Sequence, residues 1–300
     1  MAASKPGASA AASTADREIY AKRVFDAPRE LVWKVWTEPE HIGKWWGPIG
    51  FRTTTSRMEV KQGGVWEHVM HGPDGRNYEN RIVYVEVVKP ERIVYDHVSY
   101  PPFRSTVLFE EEGAKTAVSM RMVFESAELR AKVAKEHKAV EGLTQTLGRM
   151  GEHLAAYPVI VEHTYNAPKE TVWKAITEVQ HLKKWFMGAI DSFEAKPGFT
   201  TEFTIQNKGK DYVHLWKVLE VVPGEKIAVE WKFGGYAGSS IATMELFEEK
   251  EGTKLRLTHE GLETYPRDAE DLARGCFAEG WTELVNESLR KYVEQENGKN

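Results

Sequence analysis

A single cysteine, Cys276, is the whole thiol content of the 300 residues. That excludes an internal disulfide and any zinc site built on several cysteines. Long apolar runs are missing too, and none approaches the ~20 residues a helix needs to cross a bilayer. Basic charge is not in excess. The net charge is −5, with 22 Lys and Arg against 21 Asp and Glu in residues 1–157 and 18 against 24 in residues 158–300. Neither half offers the basic surface that neutralises phosphates, so no nucleic acid partner is expected. The Ala/Ser-rich residues 1–16 contain no Leu, Ile, Val or Phe. They therefore lack the core of a secretory signal and read as a disordered tail on a cytoplasmic protein. There is no Walker loop, no G-x-S-x-G and no H-E-x-x-H, so no cofactor is expected.

What is present is a repeat. Phe25 to Trp46, FDAPRELVWKVWTEPEHIGKWW, laid on Tyr165 to Phe186, YNAPKETVWKAITEVQHLKKWF, gives 11 identities in 22 positions. Residue frequencies alone would give roughly one or two. The register continues: VVKPERI at 87–93 matches VVPGEKI at 221–227, FEEEG at 109 matches FEEKEG at 247, and Glu141-Gly142 matches Glu279-Gly280. A whole domain has been duplicated, with expected bounds 17–157 and 158–297. Tyr157-Pro158 marks a very short linker, since proline stops a helix and pushes its predecessor toward extended geometry.

Each copy opens with a strand pattern, followed by Asp26-Ala27-Pro28 or Asn166-Ala167-Pro168, which supply an Asx capping residue and an early-turn proline. A helix then buries Leu31, Val32, Val35 and Trp36, or Val172, Trp173 and Ile176, at helical spacing. A second short helix ends in Trp45-Trp46 or Trp185-Phe186. Six stretches rich in Val, Ile, Tyr, Trp and Thr follow, cut by Gly63-Gly64, Pro73-Asp74-Gly75 and Pro223-Gly224-Glu225, which predicts an antiparallel meander. Ile227, Val229 and Trp231 alternate with Ala228, Glu230 and Lys232, giving one dry face. One long closing helix is expected per copy, striped by Val133, Val140, Leu143, Leu147, Met150 and Leu154, or by Trp281, Val285, Leu289 and Tyr292. A curved sheet does not pack uniformly on one helix, so a hollow edged by aromatics is expected between them.

These residues, A-P-x-E-x-V-W-K-x-x-T-E…H-x-x-K-W-[WF], the Gly-Gly turn, P-D-G and E-G-W-T-E-L, resemble the domain related to the activator of heat-shock protein 90 ATPase, over about 17–156 and 158–296. The resemblance implies the helix-grip (START / Bet v 1-like, SRPBCC) α+β fold, a sheet of about seven antiparallel strands wrapped on a C-terminal helix, made twice. It also implies a hydrophobic cavity, and a family of lipid and polyketide binders and cyclases. The motif of the true co-chaperone's N-terminal domain is not found here.

The expected pocket residues are Trp46, Trp66, Tyr84, Tyr95, His97, Leu143 and Leu147 in the first copy, and Phe186, Trp216, Trp231, His259, Trp281 and Val285 in the second, on faces that converge in that fold. Trp33 and Trp173 read as core. His68 and His71 lie at odd spacing on a strand and point to opposite faces, so they share no metal. His41 and His181, at the start of the second helix, read as surface or capping residues, and His97 and His259 as satisfied core histidines. Glu86 and Glu220 read as ion-paired, and Cys276 as a small filler. No metal site and no catalytic set emerge. The expected function is non-catalytic binding or carriage of a small hydrophobic molecule. One alternative is a polyketide cyclase or dehydratase using Tyr84, His97 or His259 as proton carriers. The other, implied by the resemblance, is a stress-response co-chaperone that binds a heat-shock ATPase or another protein partner.

Overall fold

The computed structural model describes residues 13–136, 138–186, 188, 190–207 and 209–297. It divides into two compact units between Leu154 and Ala155. Residues 1–12 of the expected tail lie outside the described residues, whereas Ala15–Arg17 form a 3-10 turn. Arg17 donates to the carbonyls of Phe124 and Glu125.

Domain 1 runs β1 (Glu18–Phe25), α1 (Arg29–Thr37), α2 (Pro39–Trp45), β2 (Arg52–Met58), β3 (Val65–His71), β4 (Asn77–Val88), β5 (Arg92–His97), β6 (Phe103–Glu112), β7 (Lys115–Phe124), α3 (Ala127–Glu136) and α4 (Ala139–Ala155). Its seven strands form one antiparallel sheet in the order β1-β7-β6-β5-β4-β3-β2. Domain 2 repeats the plan with β8 (Val159–Tyr165), α5 (Lys169–Thr177), α6 (Val179–Trp185), β9 (Thr200–Asn207), β10 (Lys210–Val222), β11 (Lys226–Phe233), β12 (Ser240–Glu249) and β13 (Gly252–Glu260). Here the sheet has six strands, β8-β13-β12-β11-β10-β9, followed by α7 (Arg274–Glu283), a π-helical stretch Leu284–Leu289 and α8 (Arg290–Asn297). This is the helix-grip fold, made twice.

The duplication reaches individual hydrogen bonds. Trp45 Nε1 donates to the Val35 carbonyl and Trp185 Nε1 to the Ala175 carbonyl, tying each short helix to the one before it. Thr116 and Thr253 donate to the Ala27 and Ala167 carbonyls. The bulge between Tyr84 and Glu86 recurs between Val218 and Glu220, where the extra residue bends the sheet. Beside it Glu86 pairs with Arg92 at 2.5 Å and Glu220 with Lys226 at 2.8 Å, each side chain a third to a half exposed. Such pairs contribute little to stability.

Four local expectations are corrected. The N-cap positions of α1 and α5 are held by Pro28 and Pro168, two residues after Asp26 and Asn166. Proline holds φ at −66° and −61°, and its carbonyl accepts the first helical amides. The closing helix of domain 1 is two helices, because Lys138 takes φ 46° between α3 and α4, and Val140 is exposed rather than part of the stripe. Where β2 stands in domain 1, residues 190–199 of domain 2 contain no strand among those described. RTTTSRM is rich in β-branched residues, whereas SFEAKPG has none and includes Pro197, which cannot donate to a ladder. Cys276 is exposed, not a core filler.

Trp281, Val285, Leu289 and Val293 are all buried at i,i+4 spacing. The π-helical stretch between α7 and α8 keeps that row on one face, where an α-helix would let it drift.

Candidate functional site

In domain 2 a cavity of about 330 Å³ opens between the ends of β9, β10 and β11 and the start of α7. Its inner wall is aromatic: Phe186, Tyr212, His214, Trp231, Phe233 and Trp281. Strand alternation puts Tyr212, His214, Trp216 and Val218 on the inward face of β10, and all four are buried. Asp271 and Leu272, from a 3-10 turn in the connection leading into α7, form the rim with Cys276, Phe277 and Glu283. Deeper in, a void of about 20 Å³ shares Phe186, Trp231 and Trp281 with the cavity and adds Trp216.

A directed hydrogen-bond chain holds this wall. Trp281 Nε1 donates to His259 Nδ1 at 2.9 Å, and His259 Nε2 faces Ser240 Oγ at 2.8 Å. Ser240 Oγ meets the Tyr265 hydroxyl at 2.8 Å, and that hydroxyl donates to the Trp231 carbonyl at 2.7 Å. An indole nitrogen can only donate, so Nδ1 must be the acceptor and Nε2 carries the proton. His259 is fully buried, and burial pushes its pKa down to about 3. It positions the two tryptophans and is not among the residues lining the cavity.

His214 is in a different situation. Its imidazole stacks on Phe203 at 4.9 Å and lines the cavity, yet Nδ1 has no hydrogen-bond partner. Burial lowers its pKa to about 4, so the ring is neutral near pH 7. The Nε1 atoms of Trp216 and Trp231 are also buried without a partner. At the rim the Tyr212 hydroxyl donates to Asp271 at 2.5 Å, and Lys210 lies 3.8 Å from the same carboxylate. Burial, and then that hydrogen bond, raise the Tyr212 pKa.

Of the residues expected to line a pocket in domain 2, Phe186, Trp231 and Trp281 do so, Trp216 lines the inner void, His259 stands behind the wall, and Val285 is buried in the core. In domain 1 the expected residues come together as packed core. Trp46 contacts Trp36, Trp45 and Trp66 at ring distances of 5.1–5.8 Å, and Trp66 stacks on His68 at 3.9 Å. Tyr84, Tyr95, Leu143 and Leu147 belong to the same buried cluster. Burial pushes both tyrosine pKa values up. His97 is satisfied, with Nδ1 on the Pro101 carbonyl and Nε2 on Asn80 Oδ1, each at 2.9 Å.

The glycines facing the two sites differ. A Cβ on Gly280 would meet nothing within 4 Å, whereas one on its counterpart Gly142 would come within 3.3 Å of Pro48. As for metals, Glu38, Glu40 and His41 bring three donor atoms within 4.8 Å of one another at the surface, and the second copy replaces Glu40 by Gln180. His41 and His181 make local contacts, to His153 and Glu38 and to Tyr292 and Glu178 respectively.

A bent antiparallel sheet clasping a helix, with an aromatic hollow between them, defines a ligand-binding class of domain. The sequence model described as Activator of Hsp90 ATPase homolog 1-like protein matches residues 26–155 and again 166–294. The chain belongs to that family, as two tandem members. No curated protein matches the chain. Solved structures similar to it include a protein from Nitrosomonas europaea, 24% identical over 47% of this chain and 95% of its own, with a TM-score of 0.44. One from Arthrobacter aurescens is 24% identical over 47% and 88%, with a TM-score of 0.45. A protein in the dynemicin biosynthetic locus is 13% identical over 94% and 99%, with a TM-score of 0.37. Among the described residues no helix is long and apolar enough to cross a membrane.

Proposed function

We propose that domain 2 binds a small, mostly apolar molecule in the cavity beneath α7 and holds it without chemical change. The observation that carries this reading is the cavity itself: about 330 Å³ walled by six aromatic rings, within the size range of small-molecule sites. Of the proton carriers expected from the sequence, His259 is the one in domain 2, and it stands behind the wall with both ring nitrogens engaged; Tyr84 and His97 are buried in domain 1.

Gly280 provides the test. It lines the cavity from α7, and a side chain there enters open space. Gly280→Leu is expected to fill the hollow and abolish binding. It should also stabilise α7 by about 0.5–1 kcal/mol, because glycine is a poor helix former. Native mass spectrometry of the wild type incubated with a lipid extract should show a retained small molecule that the variant lacks. If the wild type retains nothing, or the variant retains the same ligand, the proposal fails.

A further inference from the structure

At one pair of matching strand positions the two domains differ. Counting back from the matching Val87 and Val221, His214 and Trp231 occupy the strand positions that Asn80 and His97 hold in domain 1. There the pair closes on itself, with His97 Nε2 2.9 Å from Asn80 Oδ1. In domain 2 the two rings lie 5.3 Å apart with no hydrogen bond between them, and both His214 Nδ1 and Trp231 Nε1 are without partners. Trp216 Nε1, beside the inner void, is also without a partner. These residues are 7%, 5% and 6% exposed. Buried polar atoms are almost always hydrogen-bonded, so the two orphans on residues lining this hollow mark a place for a ligand atom.

Their chemistry states what that atom is. The indole nitrogen of Trp231 is a donor only, and a neutral imidazole, which donates from one nitrogen and accepts at the other, can join it by carrying its proton on Nδ1. The wall therefore asks for an acceptor. Charge is disfavoured from both sides. Asp271 and Glu283 stand at the rim against an anion, with no basic side chain among the lining residues. A cation would find its place taken by Lys210, whose Nζ lies 5.0 Å from the Tyr212 ring, 5.4 Å from the Tyr236 ring and 3.8 Å from Asp271.

We infer that the ligand of domain 2 is an uncharged, ring-containing molecule that turns a carbonyl or ether oxygen toward the His214–Trp231 wall. This rests on the reading of domain 2 as a binder and adds the ligand's class and orientation.

Four probes test it on the full chain by titration calorimetry: 2-acetylnaphthalene, its hydrocarbon isostere 2-isopropenylnaphthalene, and the charged 2-naphthoate and 2-naphthylmethylammonium. The wild type should take up the ketone and bind both charged probes at least tenfold more weakly. In His214→Phe the ketone-to-hydrocarbon affinity ratio should fall about tenfold, while His214→Asn, which keeps a donor, should retain it. Thermal melts should show that His214→Phe is folded and no less stable than wild type, because an unpaired buried imidazole has been replaced by an apolar ring. A ratio that stays the same in His214→Phe, or a charged probe that binds as tightly as the ketone, overturns the inference while leaving apolar binding in place. If neither neutral probe binds, while a retained molecule is found by mass spectrometry, the ligand class is wrong and the binding role stands. If nothing binds by either method, both readings fall.

Discussion

Trp281→Leu is expected to destabilise domain 2 by about 3–5 kcal/mol, and adding His259→Met is expected to return part of that loss. The single change empties space in the cavity wall and strips His259 Nδ1 of the indole donor it accepts from at 2.9 Å, leaving a buried imidazole nitrogen unpaired. His259→Met alone orphans the Trp281 N–H instead. The double variant removes both ends together and reproduces Leu143 and Met122, which occupy these positions in domain 1. Urea unfolding of the four proteins should give a coupling energy of about 1–3 kcal/mol in favour of the double change. Strict additivity would show that the Trp281–His259 bond does not organise this wall.

Acid should destabilise both domains, domain 2 the more, before most carboxylates are protonated. His68 and His259 have pKa values pushed down to about 3 by burial, and His214 to about 4. The sign follows from proton counting. Below the ordinary histidine value of 6.5 the unfolded chain takes up protons at these sites and the folded one does not, so stability falls as pH drops. It is at its full value above pH 6.5 and declines through the window down to about pH 3–4. A tenfold difference in proton affinity between the folded and unfolded chain is worth about 1.4 kcal/mol. His214 and His259 therefore place several kcal/mol in that window for domain 2, and His68 about half as much for domain 1, each against a domain stability of about 5–15 kcal/mol. Chemical denaturation at pH 7, 6, 5 and 4.5 should show midpoints falling monotonically below pH 6. A flat profile from pH 7 to 4.5 would mean that the histidines are solvated rather than buried.

The 11 identities between Phe25–Trp46 and Tyr165–Phe186 make the duplicated architecture legible, because helix starts, stripes and turns recur in the same order and each is a local signal. The break at Lys138 is not legible, since Val133 and the α4 stripe lie close enough to one helical period to read as continuous. The site is half legible. Phe186, Trp216, Trp231 and Trp281 stand out as large aromatics, but size does not single out His214, although Tyr212, His214 and Trp216 alternate on one strand as plainly as Ile227, Val229 and Trp231. That period-two pattern is the available signal. Asp271 has none: it reaches the rim from an irregular connection whose path no local preference dictates. The bond between His259 and Trp281 joins a strand to a helix 22 residues away, and only the fold brings them together.

The most direct test of the central claim, that domain 2 holds an accessible aromatic cavity fit for a small neutral molecule, is a proton–nitrogen NMR titration of the ten tryptophan indole N–H groups with 2-acetylnaphthalene. Saturable shifts are expected for Trp216, Trp231 and Trp281, while Trp33, Trp36 and Trp45 of domain 1 stay in place. Unmoved domain 2 signals at saturating probe, or shifts confined to the tryptophans of domain 1, would contradict it.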